Sequence, residues 1–156
     1  MIRPATPADI ATMLRFVREL AAFEREPDAV AATEAMLADA LFGAAPAAEA
    51  LIAEDDTGPL GFALFFHNFS TWTGRRGLYL EDLYVTPDAR GKGVGTALLR
   101  HLAGIAVERG CARFEWSVLD WNADAIAFYR QMGATGLDEW TVQRVSGEAL
   151  ARLAQR

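Results

Sequence analysis

Three groups of residues in this chain have types and spacings that can do chemistry. The first is Arg90-Gly91-Lys92-Gly93-Val94-Gly95, followed by Thr96. Alternating glycines at the start of a helix leave backbone N–H groups bare, and the helix dipole adds partial positive charge there. Arg90 and Lys92 supply full charges beside them, Lys92 being the one lysine of the chain. A phosphate group suits such a place. The spacing is not that of a P-loop, which needs Gly-x-x-x-x-Gly-Lys and then Ser or Thr. Nor is it the dinucleotide fingerprint, whose third glycine falls three residues after the second. A turn that merely joins a strand to a helix has the same composition, so the glycines alone leave both readings open.

The second group is Glu81-Asp82, which interrupts an apolar run from Leu78 to Val85. An ionised side chain in a buried strand costs several kcal/mol unless it is paired, and neighbours on a regular strand point to opposite faces. Either the strand is bulged here, or one carboxylate faces a cavity, or both have partners. A satisfied structural pair is one reading; a general base that takes a proton from an ammonium group, directly or through water, is the other. The third group is Tyr129, next to Phe128. Its phenol can protonate a departing thiolate, or the two rings can serve as core packing. His67 and His101 read as structural, His101 on the apolar face of a helix. Cys111 follows a glycine that ends a helix and has no adjacent histidine, so it does not read as a nucleophile.

These residues need elements to hold them. Leu78 to Val85 reads as a buried strand bounded by Gly77 and by Thr86-Pro87. Val94, Ala97, Leu98, His101, Leu102 and Ile105 follow the spacing of one helical face, and Gly110 closes that helix. Upstream, Ile2 to Ala5 predicts a short strand. Thr6-Pro7-Ala8-Asp9 starts a helix with a cap, a first-turn proline and an acid suited to the dipole. Ile10, Met13, Leu14, Val17 and Leu20 form its apolar stripe as far as about Glu24. A second helix is expected from about Thr33 to Leu41. Strands at 50–54 and 60–66 join around Asp56-Thr57-Gly58-Pro59, and His67 to Arg76 reads as a loop. Arg113 to Val118 predicts another strand, Asn122 to Met132 a capped helix stopped by Gly133, Thr141 to Val145 a last strand, and Ser146-Gly147-Glu148 the start of a final helix. That order implies an α+β (mixed α/β) fold, a central twisted mixed sheet with helices on both faces.

The 156 residues suit one domain, 1–156, with 52% hydrophobic and 23% charged residues, which is ordinary globular chemistry. No apolar run has the length of a membrane span, the N-terminus lacks a signal-peptide pattern, and a single cysteine fits a reducing cytoplasm. One Cys and two His argue against a structural zinc site, so no metal is expected. A net charge of −6 argues against nucleic acid and favours cationic small molecules.

The segment from Arg90 to Gly95 resembles the Arg/Gln-x-x-Gly-x-Gly/Ala pattern of the GCN5-related N-acetyltransferases, in which this loop holds the pyrophosphate of acetyl-CoA. The order strand, loop, helix is similar as well. Ile2 to Thr6, Glu19 to Glu24, Tyr79 to Asp82, Trp121-Asn122 and Phe128-Tyr129 resemble the spermidine/spermine branch of that family. Ser70 to Gly74 and Val118 to Asn122 are similar to its thialysine N-acetyltransferases. The resemblance implies direct transfer of an acetyl group from acetyl-CoA to a small cationic amine, in a cytoplasmic homodimer. It implies Tyr129 as general acid and Glu81 as the site of amine deprotonation. Leu83, Tyr84 and Val85 are then expected to pair with the pantetheine arm, Gly91 to Thr96 to wrap the pyrophosphate beside Arg90, and Asn122 to contact the cofactor. Phe23, Glu24, Asp82 and Trp72 would line the amine pocket. Polyamine-acetylating members carry an acid two places before the tryptophan that matches Trp72; here Ser70 stands there. The rivals are acetylation of a protein lysine or N-terminus, and a catalytically idle acyl-CoA-binding module.

Overall fold

The computed structural model describes residues 1–155. They fall into two compact units, Met1–Ser117 and the chain from Val118 on. The first unit is built on a five-stranded sheet, in order β1 (Ile2–Pro4), β2 (Glu49–Asp55), β3 (Gly58–Ser70), β4 (Arg75–Val85) and β5 (Arg113–Glu115). The first four pair antiparallel in turn, and β5 joins β4 in parallel, so the sheet is mixed.

Helices α1 (Ile10–Phe23) and α2 (Glu34–Phe42) cover one face. The cluster there joins Met13 and Phe16 of α1 and Leu41 of α2 to Ile52, Phe62 and Tyr84 of the sheet. Phe16 lies at its centre, 5.8 Å from the Phe62 ring and 5.2 Å from that of Tyr84. It falls outside the apolar stripe expected from i, i+3, i+4 spacing, yet it is fully buried. Helix α3 (Val94–Glu108) packs on β3 and β4 and contributes nothing to that cluster; its Leu98, Leu99, Leu102 and Ala106 are buried on the opposite face. The buried stripe of α3 is therefore rotated from the expected one, and His101 is exposed, not a core histidine.

The start of α1 also differs from expectation in its electrostatics. Pro7–Asp9 is one turn of 3-10 helix, and Thr6 and Asp9 form a capping box. Asp9 is 7% exposed, the one buried charged residue among the described residues. Its carboxylate takes two hydrogen bonds from Arg3, at 2.7 and 3.0 Å, and one from the Thr6 N–H at 2.7 Å. Arg3 also donates to both oxygens of Glu54, at 2.7 and 2.9 Å. The arginine hydrogen bonds, more than the backbone one, hold the Asp9 carboxyl down at about 2.

The expected loop from His67 to Arg76 is instead the end of a long hairpin. Strand β3 runs through Ser70 and pairs it with Arg75. Ser70 Oγ accepts from the N–H groups of Trp72 and Thr73, and Gly74 closes the turn at φ 65°. Polar residues persist as strand here because the ladder with β4 satisfies their backbone. Strand β5 is shorter than expected and pairs only with Gly77–Tyr79. In the second unit α4 (Ala123–Gln131) is capped by Asn122, whose Oδ1 accepts from the Ala125 N–H at 3.3 Å. Helix α5 (Gly147–Ala154) forms as expected. Thr141–Val145 is not a strand. Threonine and valine favour strands only where a neighbouring strand offers a ladder, and none of the described strands pairs with them.

Candidate active site

Strand β4 carries most of the candidate residues, and a bulge arranges them. Leu64 of β3 pairs with Asp82, and the next residue, Phe65, pairs with Leu80, so Glu81 is the extra residue of a β-bulge. Because Leu64 and Phe65 face opposite ways, the bulge puts Leu80 on the α3 face and Asp82 on the α1 face. Of the three options left open by the sequence, the strand takes the bulge. Glu81 is exposed and Asp82 half-buried. Burial, and after it the charges of Glu81 and Glu24, push the Asp82 carboxyl up to about 6. Glu24 ends α1, where Arg25 adopts the left-handed backbone (φ 66°), and burial raises its carboxyl as well. Glu24, Glu81 and Asp82 thus form one acidic cluster whose most perturbed member is Asp82. Such a group gives up its proton near neutral pH and attracts ammonium groups.

Beyond the bulge, Leu83, Tyr84 and Val85 pair with Ala63, Phe62 and Gly61 on one side only. On the other side β5 stops opposite Tyr79, which leaves the backbone edge of β4 open for a ligand. The Tyr84 ring is buried in the α1 cluster, and its hydroxyl donates to Glu19 Oε2. Burial and the Glu19 carboxylate push this phenol up to about 12.

One 3-10 turn, Pro87–Ala89, separates β4 from the glycine loop. Gly91 and Gly93 have φ of 75° and 84°, where an L side chain is strained, and no atom lies within 4 Å of where a Cβ would stand. Ala97 is the first residue of α3 whose N–H bonds back to the loop, at Gly93 O. The N–H groups of Val94, Gly95 and Thr96 precede it at the positive end of the helix dipole. Lys92 is exposed. Arg90 is engaged elsewhere: its Nε donates to Val85 O at 3.0 Å, and its guanidinium lies over the rings of Phe23 (5.3 Å) and Tyr84 (5.7 Å). Bare N–H groups and an open strand edge fit a ligand with a pyrophosphate at one end and an amide-bearing arm at the other.

Arg90 also closes one side of a cleft of about 660 Å³ on the α1 face, with Arg15, Glu19, Phe23, Tyr84 and Asp88 among its walls. Arg15 and Glu19 form an i, i+4 ion pair at 3.2 Å. Neither was singled out from the sequence, where the reading of α1 stopped at its apolar stripe; their spacing on the polar face was the available signal. Trp72 is not brought to this region within the first unit. It sits at the hairpin tip, 82% exposed, and six strand residues at about 3.3 Å each put it about 20 Å from Glu81. In the second unit, Asn122 caps α4, and Tyr129 lies on that helix, half-buried, with its ring 5.5 Å from that of Phe128.

The sequence pattern described as "Acetyltransferase (GNAT) family" matches residues 14–134. The thialysine N-epsilon-acetyltransferase of Sus scrofa is 39% identical over 165 residues, covering 99% of this chain and 96% of that protein. An L-ornithine N5-acetyltransferase of Arabidopsis thaliana is 32% identical, covering 96% of this chain and 85% of that one. Among solved structures, an integron cassette protein from the mobile metagenome of V. cholerae superposes with a TM-score of 0.83 at 29% identity, over 100% of this chain and 98% of that one.

Proposed function

The chain belongs to the acetyltransferase (GNAT) family of N-acetyltransferases, and on that premise we propose that it acetylates the primary amine of a small molecule, a lysine- or thialysine-like amine or a short diamine, with acetyl-CoA as donor. The observation that carries this reading is the arrangement along β4. A bulged pair of carboxylates, an open backbone edge and a glycine loop at a helix start follow one another within 81–96.

Acetyl-CoA supplies a thioester whose acetyl carbonyl is open to attack by a neutral amine. The chain's own part begins with the amine, which arrives as ammonium. Glu24, Glu81 and Asp82 attract it, and Glu81, coupled to Asp82, takes its proton. Two interacting carboxylates titrate as a pair, so the proton belongs to both until it leaves. The free N–H groups of β4 at 83–85 hold the arm and offer a donor to the carbonyl oxygen. Val94, Gly95 and Thr96 N–H groups, with Lys92 nearby, hold the pyrophosphate. Tyr129 is assigned the proton for the leaving thiolate, and Asn122 a contact to the cofactor, both from the family resemblance. Among the described residues no cluster of three metal-ligating groups occurs, and no step of this scheme calls for one.

The test is release of free CoA from acetyl-CoA with a panel of amines: L-lysine, thialysine, L-ornithine, short diamines, spermine and a lysine-bearing peptide. Turnover is expected with a small amine that has a short arm, and not with the peptide. CoA release stimulated only by the peptide would replace the small-molecule reading with a protein-acetylating one.

A further inference from the structure

The cleft on the α1 face has charges that the acetyl transfer itself does not use. Arg90 contributes one N–H, from Nε, to Val85 O, while the Phe23 and Tyr84 rings hold the plane of its guanidinium. None of the ion pairs among the described residues includes it. A guanidinium keeps a fork of N–H donors on its Nη atoms that matches a carboxylate. Arg15, on the same cleft, spends Nη1 on Glu19 at 3.2 Å and is otherwise open to solvent, with its side chain 56% exposed. Both arginines lie close enough to the Tyr84 phenol to act on it electrostatically. An anion placed at this end of the cleft meets two positive charges.

The other end is acidic. Asp82 and Tyr84 are two residues apart on the regular part of β4, so they face the same way, about 7 Å apart along the strand. Glu24 reaches Asp82 just as Phe23, its neighbour, reaches Arg90. Cationic groups are thus favoured at Asp82, and anionic ones about one short side chain away, beyond Tyr84. That is the charge pattern of a free α-amino acid with an amine at the end of a three- or four-atom arm. We infer that the substrate is such an amino acid and that Arg15 and Arg90 hold its α-carboxylate, while its terminal ammonium lies at Glu24, Glu81 and Asp82. Glu19 and Asp88, on the walls of the same cleft, offset the α-ammonium. This rests on the small-amine acetyltransferase reading above and gives it a substrate class. It also gives a reason for rejecting diamines: the second ammonium of a diamine has to sit against two arginines, and like charges at a recognition site discriminate by repulsion.

The test compares kcat/KM for L-ornithine, L-lysine and thialysine with that for 1,4-diaminobutane and 1,5-diaminopentane, in the wild type, Arg15→Gln and Arg15→Glu. The wild type is expected to favour the amino acids at least tenfold. The ratio of amino-acid to diamine kcat/KM is expected to fall about tenfold in Arg15→Gln and to invert in Arg15→Glu, mainly through KM for the amino acids. Acetyl-CoA affinity measured by calorimetry certifies that each variant is folded. A ratio unchanged in the folded Arg15→Glu enzyme, or a wild type that turns over diamines as fast as amino acids, overturns the carboxylate site and leaves the acetyltransferase reading intact. A wild type that releases no CoA with any small amine overturns both.

Discussion

Asp82 is the residue on which the chemistry and the stability of this chain meet. Its carboxyl titrates at about 6 in the folded chain, against about 3.9 for an unfolded aspartate. An acid whose folded value is raised costs stability once it ionises, so its penalty is absent below about pH 4 and complete above about pH 6. Asp9 acts in the other direction. Its folded value, about 2, lies below the unfolded one, so the stability it gives is present above about pH 4 and is lost as the pH falls toward 2. Thermal unfolding is therefore expected to peak between about pH 4 and 5. Asp82→Asn should unfold later than wild type at pH 8, by about 1–3 kcal/mol, and match it at pH 4; superimposable pH profiles would remove the burial argument. The activity signature is separate. Glu81→Gln should slow turnover most near neutral pH, where nearly all the amine is charged, and less at high pH, where free amine is available. Tyr129→Phe should be slow at every pH, each defect falling within about 10²–10⁴-fold. A Tyr129→Phe enzyme within about threefold of wild type, well short of the acid–base range, returns that tyrosine to packing.

Strand β4 and the turn after it are where sequence and structure can be compared most closely. Glycines, cations and the apolar run at 78–96 were legible because each needs a special residue type: positive φ, phosphate charge, burial. The bulge was legible only as one of three options, since nothing in Leu80-Glu81-Asp82 says which residue β3 will skip; the register belongs to the pair of strands. Phe16 and the polar hairpin beyond Phe66 were missed for the same reason, because packing and ladder partners far along the chain decided them. The strand expected at Thr141–Val145 had the residue types but no partner. Two substitutions probe the element. A Cβ at Gly61 would lie 2.4 Å from the carbonyl oxygen of Tyr84, so Gly61→Ala must push β3 away from β4. A loss of about 1–3 kcal/mol is expected, with weaker acetyl-CoA binding because the 83–85 edge moves; an unchanged denaturation midpoint would show that the strands absorb the methyl. Gly93→Asp should fold, since space is open there, yet lose acetyl-CoA affinity through its negative charge. Calorimetry showing equal affinity in the folded variant argues against the phosphate loop.

At the scale of the whole chain, the matched family pattern, 14–134, runs across the boundary between the two units at Ser117 and Val118. We propose on that basis that both units serve one acetyltransferase domain. Among the described residues no helix is long and apolar enough to cross a membrane. A homodimer remains the proposal for assembly, but the family resemblance alone supports it, because the edge expected at Thr141–Val145 is not formed. Light scattering at micromolar concentration is expected to give twice the chain mass, and monomer alone would end the proposal. The exposed apolar side chains of the last third, Trp140, Val142 and Leu153 among them, should then lose solvent access in the dimer. One further consequence follows from the position of Lys92. It is the one lysine in the chain, it is exposed, and it stands in the loop assigned to the pyrophosphate. An acylating reagent that seeks lysine side chains therefore has a single address, at the mouth of the cofactor site. The extent of labelling there, read by mass, becomes a chemical footprint of occupancy that needs no turnover and no knowledge of which amine the enzyme accepts.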